Sequence, residues 1–273
     1  MEYIPESNSL IPLIFIFERT FLNPVTNNQE TRKIYYFSER QILELQNYLS
    51  LPVINNPTNP WITNIITPDQ KSWLIHSSIK SVFPGFKFDL SKILEDTYFE
   101  IRPPIRGGRK QPRDIAFVSD QSIGYRFSGN IITSQSLNAA QKELLQKVNS
   151  YFAQQSVTKY NGILINYYQD QDNSIGKHSD DESGLGPNGV VSIVFGETRD
   201  FRIRNIYPIQ VYLDGQLTSF SEIDKILYDL PIVSETILWM GGNFQSLFTH
   251  EIPKRSNKKL GPRLSLTFRS HVE

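Results

Sequence analysis

His178 and Asp180 stand two residues apart, so on an extended backbone both side chains point to one face. A histidine and a carboxylate placed that way are half of a metal site. His250, far downstream in Thr249-His250-Glu251-Ile252-Pro253, supplies a second histidine. Two histidines and one carboxylate in this pattern form the facial triad that holds Fe(II) on one octahedral face and leaves three positions open for a co-substrate and dioxygen. An H-x-D pair alone also occurs in solvated loops, and what separates the two readings is the tail of the chain. Arg263 and Arg269 are six residues apart, an even separation that keeps both on one face of a strand. Two guanidinium groups beside a metal can grip a dicarboxylate bidentately. The dicarboxylate that also chelates Fe(II) in such sites is 2-oxoglutarate. The chain has four histidines; of the other two, His76 reads as a surface or packed helical residue and His271 as an exposed one near the end.

The composition narrows what else the chain can be. It has 273 residues, enough for one large domain or two small ones, and no cysteine, which removes disulfides, zinc-thiolate sites, iron–sulfur clusters and cysteine nucleophiles together. The absence fits an intracellular, soluble protein. Formal net charge is zero, so contact with nucleic acid would have to come from local patches. The apolar run Leu10–Phe17 contains Pro12 and follows Glu2 and Glu6 with no basic residue, so it reads as a buried strand and not a signal peptide. No run approaches the roughly 20 apolar residues of a membrane span.

Several elements are expected to carry the candidate residues. Residues 1–64 read as a strand at Leu13–Phe17, a loop at Asn23–Glu30, a strand at Lys33–Phe37, a helix capped by Ser38 and a turn-rich connector from Asn55 to Pro60. Thr67-Pro68-Asp69 has the signature of a helix start, which predicts a helix through Trp73, Ile75, Ile79 and Val82 to Pro84-Gly85. Arg102, Arg106, Arg109, Lys110 and Arg113 make a basic, glycine-rich loop with no acid among them. Tyr125–Gly129 reads as a strand and Leu137–Phe152 as an amphipathic helix. Tyr160–Tyr168, Val190–Phe195, Asp200–Arg204, Ile237–Met240 and Leu264–Phe268 read as strands, with Leu264, Leu266 and Phe268 on one face. A hairpin turning at Asp214-Gly215 and a short helix over Ser221–Leu227 are expected in between. Short strands with glycine turns from residue 100 onward suit a sandwich or jelly roll.

Four blocks carry a family resemblance: Asn166-Tyr167-Tyr168, Ile175 to Glu182, Phe195 to Phe201 and Pro262 to Arg269. Together they resemble the AlkB family of Fe(II)/2-oxoglutarate dioxygenases, closest to the members that repair alkylated DNA. The resemblance covers about residues 100–270. It implies an α+β chain with a mainly β catalytic core, a double-stranded β-helix (jelly roll) with flanking helices, spanning 65–273 behind an N-terminal extension at 1–64. It implies that His178, Asp180 and His250 bind Fe(II), that Arg263 with Tyr168 holds the distal carboxylate of 2-oxoglutarate, and that Asn166 and Arg269 hold its metal-proximal end. Glu182 and Asp181 would sit beside the substrate base, Tyr125 and Phe127 would cover it, with Phe127 and His178 as its sandwich, and Arg109 and Lys110 would meet phosphates. Ser265 stands where the family usually has Asn, and Ser234-Glu235-Thr236 where it often has a glycine turn. Residues 1–64 and 206–231 have no counterpart.

The activity implied is oxidative demethylation of N-alkylated bases of the 1-methyladenine and 3-methylcytosine type in DNA or RNA. Formaldehyde would be released, and 2-oxoglutarate and O2 converted to succinate and CO2. A second basic cluster, Lys254, Arg255, Lys258 and Lys259, joins Arg102–Arg113 as expected phosphate contacts, one on each side of the mouth, and Ile101 or Ile105 is the candidate for filling the gap left by a flipped base. The protein is expected to act as a monomer, with no membrane partner. Two alternatives stay open: an oxygenase of the same fold acting on N6-methyladenine in RNA, on protein or on lipid, and a non-catalytic jelly-roll binding module.

Overall fold

The structure is a computed structural model that describes residues 17–22, 29–34, 61–66, 72–104, 109–127, 130–152, 159–180, 189–206, 209–213, 216–221, 224, 226–242, 244–255 and 258–270. Strands β1 (Phe17–Leu22), β2 (Gln29–Ile34), β3 (Ile62–Ile66) and β4 (Ser72–Ser78) come first, followed by the short helices α1 (Ile79–Val82) and α2 (Leu90–Ile93). Next are β5 (Asp114–Val118), β6 (Gly124–Phe127), β7 (Asn130–Thr133), helix α3 (Ala139–Phe152), β8 (Gly162–Tyr168) and β9 (Ile175–His178). The chain continues through β10 (Val190–Gly196), β11 (Arg199–Asn205), β12 (Ile209–Leu213), β13 (Gln216–Ser221), β14 (Ile226–Ile232) and β15 (Thr236–Gly242). Helix α4 (Phe244–Leu247), β16 (Phe248–Ile252) and β17 (Arg263–Arg269) end it. The fold is mostly β, with antiparallel sheets and few helices.

Two sheets make the body of the protein. The larger has the order β3-β4-β15-β10-β17-β8-β5, the smaller β14-β11-β16-β9. Period-2 alternation divides each strand of the larger sheet between two environments. On β17, Leu264, Leu266 and Phe268 join one core cluster with Ile163 and Ile165 of β8, Ile193 of β10 and Leu144, Val148 and Phe152 of α3. The alternate positions Arg263, Ser265, Thr267 and Arg269 line a cavity on the opposite face. In the smaller sheet, Phe201 and Ile203 of β11, Leu230 and Ile232 of β14 and Ile252 of β16 turn inward and cluster with Val194, Leu238 and Met240 of the larger sheet. Each such fully buried side chain contributes roughly 1.5–3 kcal/mol. Arg202 and Arg204 alternate outward, pairing with Asp229 and Glu251.

Glycine is required at the turn after β10. Gly196 has φ +90, and a Cβ there would lie 2.3 Å from the carbonyl oxygen of Pro262. The close approach lets β17 run against β10 from its first residue, Arg263 pairing with Gly196.

Several expectations change. Trp73 and Ile75 lie in a strand, β4, which pairs with β15 along its whole length. Their spacing of two is strand parity, and both Leu74 and Ile75 are fully buried, one in each core cluster. Burial on both faces gave a run of apolar residues that local reading cannot separate from a helix. Helix begins only at Ile79, with the Ser78 hydroxyl accepting from the Lys80 amide. His76 therefore sits on β4. Ile226 and Leu227 open strand β14, so the short helix expected over Ser221–Leu227 does not reach them. Gln29 and Glu30, expected in a loop, begin β2. The Asp214-Gly215 turn lies outside the described residues, and the strands flanking it pair as a hairpin. Leu13–Ile16, the Ser38 helix, the 55–60 connector and His271 also lie outside them.

The two segments without a counterpart meet. β1 pairs with β12, so the start of the chain and the 206–221 segment share one sheet, β13-β12-β1-β2. Trp61, placed by sequence in the N-terminal extension, is buried in the main core and donates its Nε1–H to Tyr151 Oη at 3.0 Å.

Candidate metal centre and co-substrate pocket

The two candidate histidines come together because β9 and β16 are antiparallel neighbours with His178 and His250 in register. Their ring centroids are 4.3 Å apart. Asp180 follows two residues after His178, with Oδ1 3.6 Å from His178 Nε2 and Oδ2 3.6 Å from His250 Nε2. One ligand atom from each of the three falls within 4.8 Å of the others. Adjacent positions of an octahedron with bonds of about 2.1 Å are about 3 Å apart, so small side-chain movements would close the set on one ion.

The protonation states suit a metal. His178 Nδ1 is 2.8 Å from the Gly176 carbonyl oxygen, which places the proton there and leaves the Nε2 lone pair facing Asp180. Burial, then the neighbouring His178, lowers the pKa of His250 to about 3, and it stacks on Phe201 with centroids 5.0 Å apart. Burial also pushes His178 down. Burial opposes ionisation of Asp180, but Arg269 and the two histidines together hold its carboxyl below the usual carboxylate range. Neutral imidazoles around an ionised carboxylate are the donor set a divalent cation needs.

Two guanidinium groups of β17 border the rest of the cavity between the sheets. Arg269 Nη2 donates to Asp180 Oδ1 at 2.5 Å, and its Cζ lies 4.9 Å from the Tyr125 ring centre. Arg263, directly across from Tyr168 in the strand register, has its Cζ 5.1 Å from that ring. Its Nε and Nη1 are buried with no hydrogen-bond partner among the described residues. A buried cation with open donors bordering a cavity fits an incoming carboxylate. Ser265, Thr267 and Ser192 add a chain of hydroxyls along the cavity wall, at 3.4 and 3.1 Å.

Each remaining candidate has its own outcome. Asn166, Tyr168 and Tyr125 line the cavity. Asn166 Oδ1 accepts from Arg113 Nε at 2.7 Å. Arg113, which reads in the sequence as part of the basic loop, is buried, and burial pushes its pKa down. The parity of Arg113, Ile115 and Phe117 carried the signal, since Ile115 and Phe117 pack with Tyr125 and Leu164 on the cavity side of β5. Arg109 and Lys110 are exposed. Phe127 belongs to β6, but its side chain, like Asp181, Glu182 and Ile105, falls outside the described residues. Ile101 is exposed.

Sequence reading also missed what holds the carboxylate. The Asp180 amide donates to Gln245 Oε1 on α4 at 2.9 Å, and Ser179, which reads as a mere spacer in the sequence, donates its hydroxyl to the Phe248 carbonyl at 2.9 Å. No local pattern marks Gln245; only the fold brings α4 beneath the H-x-D turn.

Comparison with known proteins agrees with this chemistry. Residues 61–269 match the family model of the 2OG-Fe(II) oxygenase superfamily. The alpha-ketoglutarate-dependent dioxygenase alkB homolog 3 of Mus musculus is 29% identical over 69% of this chain and 65% of its own length. The DNA oxidative demethylase ALKBH2 of Homo sapiens is 30% identical over 58% of this chain and 56% of its own, and that of Arabidopsis thaliana 30% identical over 62% and 57%. The chain thus spans between about half and two thirds of the length of these relatives. The family implies Fe(II), 2-oxoglutarate and O2, which the His178–Asp180–His250 cluster and the open donors of Arg263 fit. The chain belongs to the 2OG-Fe(II) oxygenase superfamily, and its relatives there are AlkB homologues.

Proposed function

We propose that this protein removes N-linked methyl groups from bases in DNA, with RNA as a second substrate, and that residues 65–273 form a double-stranded β-helix catalytic domain. The observation that carries the chemistry is the joint presence, in one cavity, of the His178–Asp180–His250 cluster and a buried guanidinium with open donors. The nucleic-acid reading is supported by the surface beside it. Ser174 N–H donates to the Pro112 carbonyl and Arg255 N–H to the Gln171 carbonyl, so the loop between β8 and β9 is flanked by both basic segments. Arg109, Lys110, Lys254, Arg255, Lys258 and Lys259 are exposed there, where phosphate contacts would position a strand.

His178, Asp180 and His250 would hold Fe(II), and Arg263 with Tyr168 would take the distal carboxylate of 2-oxoglutarate. Asn166 and Arg269 would border its metal-proximal end, with Arg113 orienting Asn166. With 2-oxoglutarate and O2, the iron would supply the oxidation of the methyl carbon, and the products would be formaldehyde, succinate, CO2 and the restored base. The chain's own part is to bind, orient and exclude water. Val194, Phe201, Ile232, Leu238 and Ile252 give the cavity apolar walls. Tyr125 and Phe127 would cover the base, and Asp181 and Glu182 would offset the positive charge of an N-methylated ring. Extruding a base from duplex costs roughly a few kcal/mol, so single strands should be the easier substrate.

The test is incubation with Fe(II), 2-oxoglutarate and oligonucleotides carrying 1-methyladenine or 3-methylcytosine, following methyl loss by mass. Turnover is expected, and Asp180→Ala should abolish it. No methyl loss on any oligonucleotide, with succinate still formed on another substrate, would contradict the nucleic-acid reading; a fully active Asp180→Ala would contradict the ligand set.

A further inference from the structure

Arg199, the first residue of β11, is 1% exposed. Among the described residues its hydrogen bonds go to main-chain carbonyls: Nη1 to Asp170 at 3.2 Å, Nη2 to Asn173 at 2.8 Å and to Pro253 at 2.7 Å. Burying a guanidinium against carbonyl dipoles is an expensive way to fill space, because the desolvation cost is only partly offset. What the three carbonyls belong to explains the arrangement. Asp170 and Asn173 lie in the loop that leads into β9 and His178, and Pro253 follows β16, the strand of His250. One guanidinium therefore ties the entry of one histidine strand to the exit of the other. The same group lies 6.0 Å from the centre of the Tyr168 ring, which also borders Arg263.

The 169–174 loop is itself fully specified. Asp170 Oδ1 accepts from the amides of Asp172 and Asn173, and Asn173 is fully buried. Gln171 accepts from the Arg255 amide through its carbonyl and from the Leu260 amide through Oε1. The residue after Arg199, Asp200, forms an ion pair with Arg255.

We propose that Arg199 is a positioning residue that fixes Tyr168, and through it Arg263, in the orientation that receives the distal carboxylate of 2-oxoglutarate, while locking the 169–174 loop to the end of β16. The inference rests on the co-substrate of the family and is independent of the nucleic-acid reading. It is tested on the full chain by calorimetric titration of 2-oxoglutarate in the presence of Mn(II), for wild type, Arg199→Lys and Arg199→Met. Lysine keeps the charge but cannot span three carbonyls. Loss of a residue that orients a metal ligand typically costs about 10–100-fold in metal affinity or activity; taking the low end for a residue that orients a co-substrate contact, the Kd should rise about tenfold in Arg199→Met and less in Arg199→Lys. The 2-oxoglutarate KM should follow, with kcat at saturating co-substrate nearly unchanged, a split that simple loss of folded protein would not produce. Should Arg199→Met fail to fold, Arg199→Lys together with hydrogen exchange of the wild type decides: 2-oxoglutarate with Mn(II) should slow exchange at residues 170–174. Wild-type Kd and KM in a folded Arg199→Lys, or exchange at 170–174 indifferent to 2-oxoglutarate, would overturn the proposal.

Discussion

The two ends of β17 carry the same residue type in opposite situations. Arg263 and Arg269 are both 3% exposed and share one face of the strand. Arg269 is paired within the protein, donating to Asp180 at 2.5 Å. Arg263 keeps two nitrogens buried without a partner among the described residues. Removing one partner of a buried pair strands the other charge at high cost, whereas a buried charge left open is itself a cost the fold carries for a ligand. On the proposed reading, the pair distinguishes the end of the cavity where a guanidinium holds Asp180 from the end where one would receive the distal carboxylate of the co-substrate.

Stability of the metal-free protein should expose that difference most sharply. Arg269→Met leaves Asp180 as a buried carboxylate without its cation and should cost about 3–5 kcal/mol. Arg263→Met removes an uncompensated charge and should leave stability within about 1 kcal/mol of wild type or raise it. Urea unfolding of both variants measures this, and equal losses would erase the distinction between the two ends.

A smaller effect separates the histidines from Asp180. His250 titrates near 3 in the fold against an ordinary 6.5. Between those values the unfolded chain binds a proton that the folded chain does not. Stability of the metal-free protein should therefore fall as pH drops below 6.5, by about 1.4 kcal/mol per unit for this group once well below it. Asp180 is shifted down, so its contribution persists above the ordinary carboxylate range and is lost only at lower pH, as pH falls through its folded value. Denaturation midpoints between pH 7 and pH 5 check the slope, and bound metal should steepen it because protons then compete for the ligands.

Much of the site was legible because it rests on period-2 parity. The H-x-D pair, the even spacing of Arg263 and Arg269 and the apolar face of Leu264, Leu266 and Phe268 can all be read from spacing alone. Where the answer depended on partners distant in the chain, the reading failed. Trp73 and Ile75 became strand because β15 supplies their backbone hydrogen bonds. Arg113 looked like one more loop cation until Asn166 gave it a buried acceptor. Gln245 accepts from a main-chain amide and Arg199 donates to main-chain carbonyls of segments far away in sequence, and main-chain partners leave no residue signature. The pairing of β1 with β12 joins two segments that each carried no motif.

The central claim, that the open guanidinium of Arg263 awaits the co-substrate, is tested most directly by titrating 2-oxoglutarate into wild type and Arg263→Met in the presence of Mn(II). Losing a buried, charge-assisted contact predicts affinity weakened by about 100-fold, near 2.7 kcal/mol, in a variant that is folded and within about 1 kcal/mol of wild type in stability or above it. Wild-type affinity in Arg263→Met would contradict the account.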